Sequence, residues 1–230
     1  MFFNKNIKKE GEIHVPPLSN SIWTVFDARP CEVISARLPK FAPGLHKSQV
    51  AKSMSHISRA GAGDIPGLLH LINRAYRGEA SKKGWTTEAN LLEGDLRTDE
   101  NSLSELMARE HAVILIFRGE TGEITGCVFL EKHDTRLYLG MLSVDPEQQA
   151  QGIGKQLLAA ATEHARQNGC HSIYMRVLSQ RSELIAWYER HGYRHTGETQ
   201  PYAGDAKFGI PTEPLVFTIM EKTLSDRAGG

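Results

Sequence analysis

The sequence is poor in cysteine, with only Cys31, Cys127 and Cys170 among its 230 residues. An odd number of widely spaced cysteines does not form a disulfide framework, and the lack of a CxxC pair excludes the common zinc motifs. No window approaches the roughly 18 apolar residues that a membrane-spanning helix needs. The chain becomes charged soon after Met1-Phe2-Phe3, so we expect no secretory signal. These absences favour a cytoplasmic protein with no membrane contact.

Net charge is also lacking, because 27 basic residues balance 27 acidic ones. A neutral chain has no strong field to draw it to nucleic acid or to an anionic lipid surface, although a local basic patch is compatible with this balance. We therefore expect no nucleic-acid partner. Apolar residues make up 40% of the chain, enough for a packed core. At about 100–200 residues per domain, the length fits one large domain or one domain with an extension.

Histidines are present, but their spacing is not typical of a metal site. His191 and His195 are four residues apart, yet Gly192 breaks the helix that would align them. No HExxH sequence occurs, and the adjacency of Cys170 and His171 does not make a catalytic pair. We therefore expect no metal cofactor.

The first 56 residues differ from the rest in holding five of the ten prolines and only short apolar patterns. Trp23, Val25 and Phe26 form the one apolar group there. We interpret this stretch as an irregular N-terminal extension. It is either a loosely ordered tail or an arm that docks onto the domain or onto a second copy of the chain, so a homodimer stays open. Residues 57–224 then form the domain, and residues 225–230 form a C-terminal tail.

Apolar periodicity predicts a mixed α/β layer fold for the domain. Helices are expected from Asp64, more weakly from Thr87, and over 101–110, 152–168 and 183–190. The three strands in the middle are joined by tight turns, so they should be antiparallel. The predicted strands are 57–60, 112–117, 124–130, 137–144, 172–177, 193–196 and 216–220.

The most informative segment runs from Leu142 to Lys155, where a buried strand ends at Asp145-Pro146 and a glycine-containing loop leads into the long helix. The first N–H groups of a helix have no intrahelical partner, and the helix dipole favours negative charge there, so this is an anion site. The Rossmann pattern GxGxxG fails at Leu157, and the P-loop pattern GxxxxGK[ST] fails at Gln149 and Gln156. The structural alternative is a plain turn at a helix start.

The spacing that does fit is Gln-x-x-Gly-x-Gly, made by Gln149, Gly152 and Gly154. A second segment, Ile185 to Tyr193, has a helix followed by glycine and an aromatic residue. In this order the two motifs resemble the GNAT acyltransferase superfamily, over about residues 57–224. The resemblance implies a mixed, mainly antiparallel central sheet flanked by helices. Two splayed parallel strands, here 137–144 and 172–177, would form the acyl-CoA cleft.

The resemblance further implies an N-acetyltransferase that moves an acetyl group from acetyl-CoA to a primary amine of a small molecule or peptide. The amine attacks the thioester directly, through a tetrahedral intermediate. At one position, Arg181, the chain departs from the Asn that the family often has. The implied cofactor-binding residues are Leu142, Ser143, Val144, Gln149, Ala150, Gln151, Gly152, Ile153, Gly154 and Lys155.

Tyr188 matches the position of the family's catalytic tyrosine, which implies a general acid for the leaving thiolate. An ordinary tyrosine, with a pKa of about 10, is protonated at neutral pH and can donate a proton. The alternative is a core aromatic beside Trp187 on an amphipathic helix. The general base is less evident, because the register where many family members place a carboxylate falls at Tyr138. Tyr138 itself, a water chain and a carboxylate from elsewhere are the candidates.

The family's acceptor-binding elements correspond to the segment from Arg77 to Glu88, where Glu79, Trp85 and Glu88 are the candidates. Trp85 suits a substrate wall or a packing plug, and charged loop residues are most often just solvated. The alternative to an enzyme is a catalytically weak GNAT-like domain that binds acyl-CoA as a sensor or scaffold. The intact Tyr188 argues for the enzyme, whereas the missing strand carboxylate leaves room for the alternative.

Overall fold

A computed structural model describes residues 56–225 of the protein. The predicted extension, with its group of Trp23, Val25 and Phe26, and the last five residues lie outside the described part. The described residues form five α-helices and nine strands, besides two short 3-10 helices at Ala62–Asp64 and Ala206–Phe208. The helices are α1 Ile65–Tyr76, α2 Gly78–Ser81, α3 Glu100–Ala108, α4 Ile153–Gln167 and α5 Ser182–Arg190. The strands are β1 Ile57–Arg59, β2 Leu92–Glu93, β3 Ala112–Arg118, β4 Ile124–His133, β5 Arg136–Val144, β6 Ser172–Leu178, β7 Arg194–Pro201, β8 Ile210–Pro211 and β9 Val216–Thr223.

Local sequence explains the two helices that border the site. Helix α1 has Pro66 in its first turn, where a missing N–H costs no intrahelical bond, and its apolar stripe from Leu68 to Tyr76 is buried. Helix α4 begins after Gly152, whose φ of 81° is the left-handed conformation that favours glycine. Its buried residues, from Ile153 to Ala165, follow helical spacing.

Within residues 56–225, seven strands form the central sheet in the order β1-β3-β4-β5-β6-β9-β7. The pairs β3–β4 and β4–β5 are antiparallel, which confirms the prediction from their tight turns. The pair β5–β6 is parallel, because α4 crosses over between the two strands. The neighbours of β9 are antiparallel to it. The predicted mixed, mainly antiparallel sheet is thus confirmed.

Each face of the sheet has its own core. Helix α4 packs its Leu157 and Ala161 against one face, together with Val128 and Met175 from the strands. Helices α1 and α3 cover the other face, where Phe129 and other strand residues meet them. Two layers of helix on one sheet bury both faces in the middle of the sheet.

A bulge in β5 resets the alternation of its side chains. Phe129 pairs with Gly140, whereas Cys127 pairs with Ser143, so β5 carries one residue more than β4 over this stretch. Met141 takes a φ of 48°, which a residue with a side chain rarely adopts. Leu139 and Leu142 consequently face the α4 side, while Met141 faces the side of α1.

Two predictions from periodicity need correction. The helix expected from Thr87 is absent from the described residues, and a short helix lies earlier, at Gly78–Ser81. Side-chain bonds of Thr86 and Thr87, to Ala75 O and Ser81 Oγ, hold this segment in an irregular path. Strand β7 continues to Pro201, well beyond the predicted end at residue 196.

No helix within residues 56–225 is long and apolar enough to cross a membrane. The same residues contain no group of three or more His, Cys, Asp or Glu side chains placed to hold a metal ion.

Candidate active site

A cleft opens where β5 and β6 part. Their pairing runs through Arg136–Ser172, Leu137–Ile173 and Tyr138–Tyr174 and then stops. Beyond it lies a cavity of about 80 Å³, bounded by residues 139–142 of β5 and 175–178 of β6. Tyr76 of α1 and Tyr188 of α5 close its sides. Unpaired strand edges and a cavity are the features that the predicted acyl-CoA cleft requires.

The backbone of the β5 bulge is held by side chains from three elements. Tyr76 Oη donates a hydrogen bond to Leu142 O at 3.0 Å. The Oγ of Ser143 and the Sγ of Cys127 lie 3.1 and 3.7 Å from Met141 O. The predicted strand-end residues Leu142, Ser143 and Val144 are all buried. Side chains thus engage the carbonyl oxygens of Met141 and Leu142, which fixes the shape of the strand end.

The glycine loop and the start of α4 form an open cradle. A Cβ added to Gly152 would meet no atom within 4 Å, and one added to Gly154 would meet Trp187 Cζ2 at 3.6 Å and Val144 Cγ2 at 3.8 Å. Arg74 of α1 pairs with the two acidic residues of the loop, with contacts of 3.4 Å to Asp145 and 2.8 Å to Glu147. This pairing offsets part of the negative charge beside the first N–H groups of the 15-residue helix. The geometry fits a phosphate.

Gln149 is part of this loop, but its side chain points to the chain segment 84–86. Its Oε1 accepts from Trp85 N at 2.9 Å, and its Nε2 lies 3.3 Å from Thr86 Oγ1 and 3.2 Å from Val144 O. Arg181, just before α5, donates to Trp85 O at 2.6 Å and to Thr86 O at 3.1 Å. The ring of Trp85 meets Trp187 edge-on at 5.0 Å. We name residues 84–86 with these contacts the Trp85 latch.

Tyr188 lies near the C-terminal end of α5, with 5% of its surface exposed. Its ring packs edge-on against Trp187 at 5.0 Å and Tyr193 at 5.7 Å, and it lines the cavity. Burial, and to a smaller extent Tyr76 and other neighbours, raises the pKa of Tyr188 well above 10. Its hydroxyl is therefore protonated at neutral pH, as a proton donor must be.

Tyr138 lines the cavity from the opposite side. Its ring lies over Gly140, where an added Cβ would come within 2.9 Å of Tyr138 Cε1 and 3.1 Å of its Oη. Gly140 thus gives the ring room to lie along β5 toward the bulge. On the next strand, Glu131 pairs in register with Tyr138, and its carboxylate contacts His133 and Arg109. Glu131 is not among the cavity-lining residues.

The three acceptor candidates fall in different places. Glu88 lines the cavity and is held by Arg77 at 2.6 Å and Arg97 at 3.4 Å. Trp85 belongs to the Trp85 latch and is half-buried. Glu79 has 87% of its side chain exposed, pairs with Lys82 and does not line the cavity.

The cavity also contains residues that the sequence analysis did not single out. Arg97 and Arg176 line it together with Tyr202 and Phe217. Arg97 comes from the irregular segment before α3, and Arg176 lies on β6 between two apolar residues. The sequence held one signal for these residues, which is that Arg176 is a charged residue inside a predicted buried strand. Such a residue needs a partner, so it could have been marked as a candidate.

Comparison with known proteins identifies the class. The acetyltransferase (GNAT) family matches residues 68–193. An L-methionine sulfoximine/L-methionine sulfone acetyltransferase of Pseudomonas paraeruginosa is 30% identical in an alignment of 161 residues that covers 66% of this chain and 87% of that protein. A mycothiol acetyltransferase of Gordonia bronchialis is 24% identical over 171 residues, 74% of this chain and 51% of that one.

Solved structures share the fold. A ribosomal-protein-alanine N-acetyltransferase from Brucella melitensis has a TM-score of 0.55 at 22% identity, covering 73% of this chain and 99% of its own. An acetyltransferase from Salmonella typhimurium, solved with its cofactor acetyl-CoA, has a TM-score of 0.54 at 23% identity, covering 76% and 96%. The family match and the relatives named above make the chain an acyltransferase. The chain belongs to the GNAT family of acetyltransferases.

Proposed function

We propose that the protein is an N-acetyltransferase that uses acetyl-CoA as donor and a primary amine of a small molecule or peptide as acceptor. The observation that carries this proposal is the cleft between β5 and β6, with the open cradle of α4 at one end and Tyr188 at its side. The acetyl-CoA in the Salmonella typhimurium neighbour supports the choice of donor.

The donor's pyrophosphate would lie on the N–H groups of residues 150–155, where the helix dipole favours negative charge. Gly152 and Gly154 leave the space for it. Gln149 contributes by its backbone, since its side chain bonds to Trp85, Thr86 and Val144. The pantetheine arm would extend along the free edge of β5, like an added strand.

The acetyl transfer follows from the groups around the cavity. The amine nitrogen attacks the thioester carbonyl, and a backbone N–H at the end of β5 stabilises the oxyanion that forms. The C–S bond then breaks, and Tyr188 gives its proton to the departing sulfur. Glu88 serves as counter-ion to Arg77 and Arg97 rather than as the base. Water is left to take the proton of the amine, either directly or through the Tyr138 hydroxyl, which would pass its own proton to water as it accepts one.

A CoA-release assay with a panel of amines tests this function. L-methionine sulfone is the first acceptor to try, because one relative is named for it. Mass spectrometry of the product should show an added acetyl group on nitrogen. Acetyl-CoA binding without release of CoA across the panel would instead favour the sensor or scaffold.

A further inference from the structure

Tyr76, the last residue of α1, places its hydroxyl at the edge of β5 that faces the cleft. Its Oη donates a hydrogen bond to Leu142 O at 3.0 Å, and the residue lines the cavity. The side chain is buried, and the guanidinium carbon of Arg97 lies over its ring, 5.3 Å from the ring centre. A buried ring with a cation on its face has little freedom to turn. The hydroxyl is thus held at one place in the cavity.

Leu142 turns its backbone groups toward the cleft. Three residues further on, Asp145 N donates to Thr125 O beside β4. The N–H and C=O groups of one strand residue point to the same side, and successive residues alternate between the two sides. Leu142 therefore points away from β4, and its bond with Tyr76 agrees with this. The N–H of Leu142 is then a group at the end of β5 that can meet the thioester carbonyl.

The hydroxyl of Tyr76 has a single proton, and Leu142 O takes it. Burial, with a smaller contribution from Glu88, raises the pKa of Tyr76 to about 12, so this proton stays in place at neutral pH. A phenolic oxygen that donates its proton still has lone pairs that can accept. While the bond to Leu142 O persists, the oxygen therefore offers the cavity an acceptor alone. A ligand that meets it there must supply an N–H or O–H group.

The attacking amine is the N–H donor expected at this point. In the tetrahedral intermediate the amine nitrogen and the oxyanion are bonded to the same carbon. An oxyanion on the N–H of Leu142 therefore brings the amine close to the C=O of the same residue, where Tyr76 Oη lies. Tyr76 also adjoins the acceptor segment, since its carbonyl accepts from Glu88 N at 3.0 Å. A primary amine has two N–H groups, so one can bind Tyr76 while water takes the proton of the other.

We propose that Tyr76 is a further catalytic residue, which accepts a hydrogen bond from the attacking amine and so aligns the nitrogen lone pair with the thioester carbon. This inference rests on the proposed acetylation of a primary amine. One hydroxyl then holds both the nucleophile and the strand end that binds the oxyanion. Orienting the amine in this way raises the rate of attack without any proton transfer by Tyr76.

Tyr76→Phe removes the accepting oxygen and keeps the ring. For the amine that the CoA-release assay identifies, kcat/KM should fall roughly tenfold, the worth of one buried hydrogen bond. The affinity for acetyl-CoA, measured by calorimetry, should stay within about twofold of the native value. Leu106→Val is the matched control, because it changes the same core and Leu106 does not line the cavity. It should keep kcat/KM within about threefold of the native value.

Two measurements separate contact with the amine from mere support of Leu142 O. A 3-fluorotyrosine at position 76 is a stronger donor and a weaker acceptor than tyrosine, because fluorine withdraws electrons from the ring. It should lower kcat/KM, whereas an unchanged or higher value would show that Tyr76 acts only by donating to Leu142 O. The infrared carbonyl stretch of bound, isotope-labelled acetyl-CoA reports how the strand end polarises the thioester. It should be the same in Tyr76→Phe and the native protein, and a shifted stretch would overturn the contact with the amine.

The outcomes also separate this inference from the proposed function. If Tyr76→Phe acetylates the amine within about twofold of the native rate, the contact is overturned and the acetyltransferase stands. If the native protein turns over no amine, calorimetry with the amines of the panel in the presence of CoA decides. Binding that Tyr76→Phe weakens and Leu106→Val does not would support the contact and contradict the proposed function. No binding to the native protein would overturn both.

Discussion

At the scale of single residues, Tyr188 and Tyr193 form a natural comparison. Both are buried tyrosines, their ring centres are 5.7 Å apart, and only Tyr188 lines the cavity. Burial raises the pKa of both. Of the two, only the Tyr188 hydroxyl can reach a ligand in the cavity. A difference in activity between the two hydroxyl-deletion variants would therefore reflect the position of the hydroxyl and not the packing of the ring.

Tyr188→Phe should lower kcat and kcat/KM together by about 10²-fold, the lower end of the usual worth of a positioned acid. A thiolate with a pKa of about 8.5 is a fair leaving group unaided, which limits the loss. Steady-state kinetics and calorimetry with acetyl-CoA measure the effect, and donor affinity should persist. Tyr193→Phe is the control and should keep full activity. A Tyr188→Phe enzyme within about threefold of the native rate would show that this tyrosine only packs.

Gly154→Glu should weaken acetyl-CoA binding by roughly tenfold or more, because a carboxylate would stand where the donor's phosphates are expected. The fold should persist, since an added Cβ meets its neighbours at 3.6 Å or more, which is ordinary contact. Calorimetry measures the affinity. Gly154→Gln has the same size without the charge and should bind better than Gly154→Glu. Native affinity in both variants would show that the phosphates of the donor do not bind in this cradle.

At the scale of elements, the Trp85 latch joins the loop before α4 to the segment before β2. Gln149 and Arg181 come from different ends of the cleft, yet both bond to Trp85 and Thr86. A donor that orders the glycine loop would thereby also order this segment. The segment expected to border the acceptor is in this way tied to the loop expected to bind the donor.

Gln149→Leu should release this latch without unfolding the domain. The bond from Trp85 N to Gln149 Oε1 is lost, so the Trp85 amide should exchange with solvent roughly 5- to 30-fold faster, as expected for the loss of about 1–2 kcal/mol of local stability. Hydrogen exchange followed by mass spectrometry or NMR measures this rate. Gln167→Leu, which removes an exposed bond to Glu163, should leave it unchanged. An unaltered Trp85 amide would mean that Arg181 and the other contacts of the segment hold it without Gln149.

The sequence predicted elements well where apolar spacing is strong and poorly where it is weak. Strands β3 to β6 and helices α1 and α4 bury regular sets of residues, and their bounds, like those of α5, came close to those predicted. All eight residues of β7 are exposed, so no alternation marked its end. The two-residue pair of β2 and β8 joins segments more than 100 residues apart, which no local pattern reports.

The residues of the candidate site likewise fall into those that the sequence could indicate and those that it could not. The glycine loop and Tyr188 lie in short motifs, so the sequence could indicate them. Arg97 and Arg176 meet in the cavity only because the register of the sheet and the path of the segment before α3 bring them together. Such contacts depend on tertiary structure, and a single sequence does not show them.

At the scale of the whole molecule, the described domain holds several weak acids away from water. Burial, with a further contribution from Glu88, raises the pKa of Tyr76 to about 12, and burial raises the pKa of Cys127 to about 12. Burial likewise raises the pKa of Tyr174 to about 12. In an unfolded chain a thiol titrates near 8.5 and a tyrosine near 10. Above about pH 9 the folded protein therefore binds more protons than the unfolded chain.

The free energy of unfolding should consequently fall as the pH rises from about 9 to 12. Each such group adds a slope of up to about 1.36 kcal/mol per pH unit. For Tyr76, which is 8% exposed, a shift of about two units corresponds to about 2.7 kcal/mol, lost in full only above pH 12. Urea unfolding at several pH values between 7 and 11 measures the curve.

Tyr76→Phe isolates one group in that curve. The variant should lose about 1 kcal/mol at neutral pH, because the hydrogen bond to Leu142 O is gone. Its stability should then fall less steeply than that of the native protein above pH 10, so the two curves converge. Leu106→Val, a change in the same core, should lower stability by a similar amount at every pH and keep the native slope. Parallel curves for Tyr76→Phe and the native protein would show that the Tyr76 hydroxyl is not held protonated by the fold.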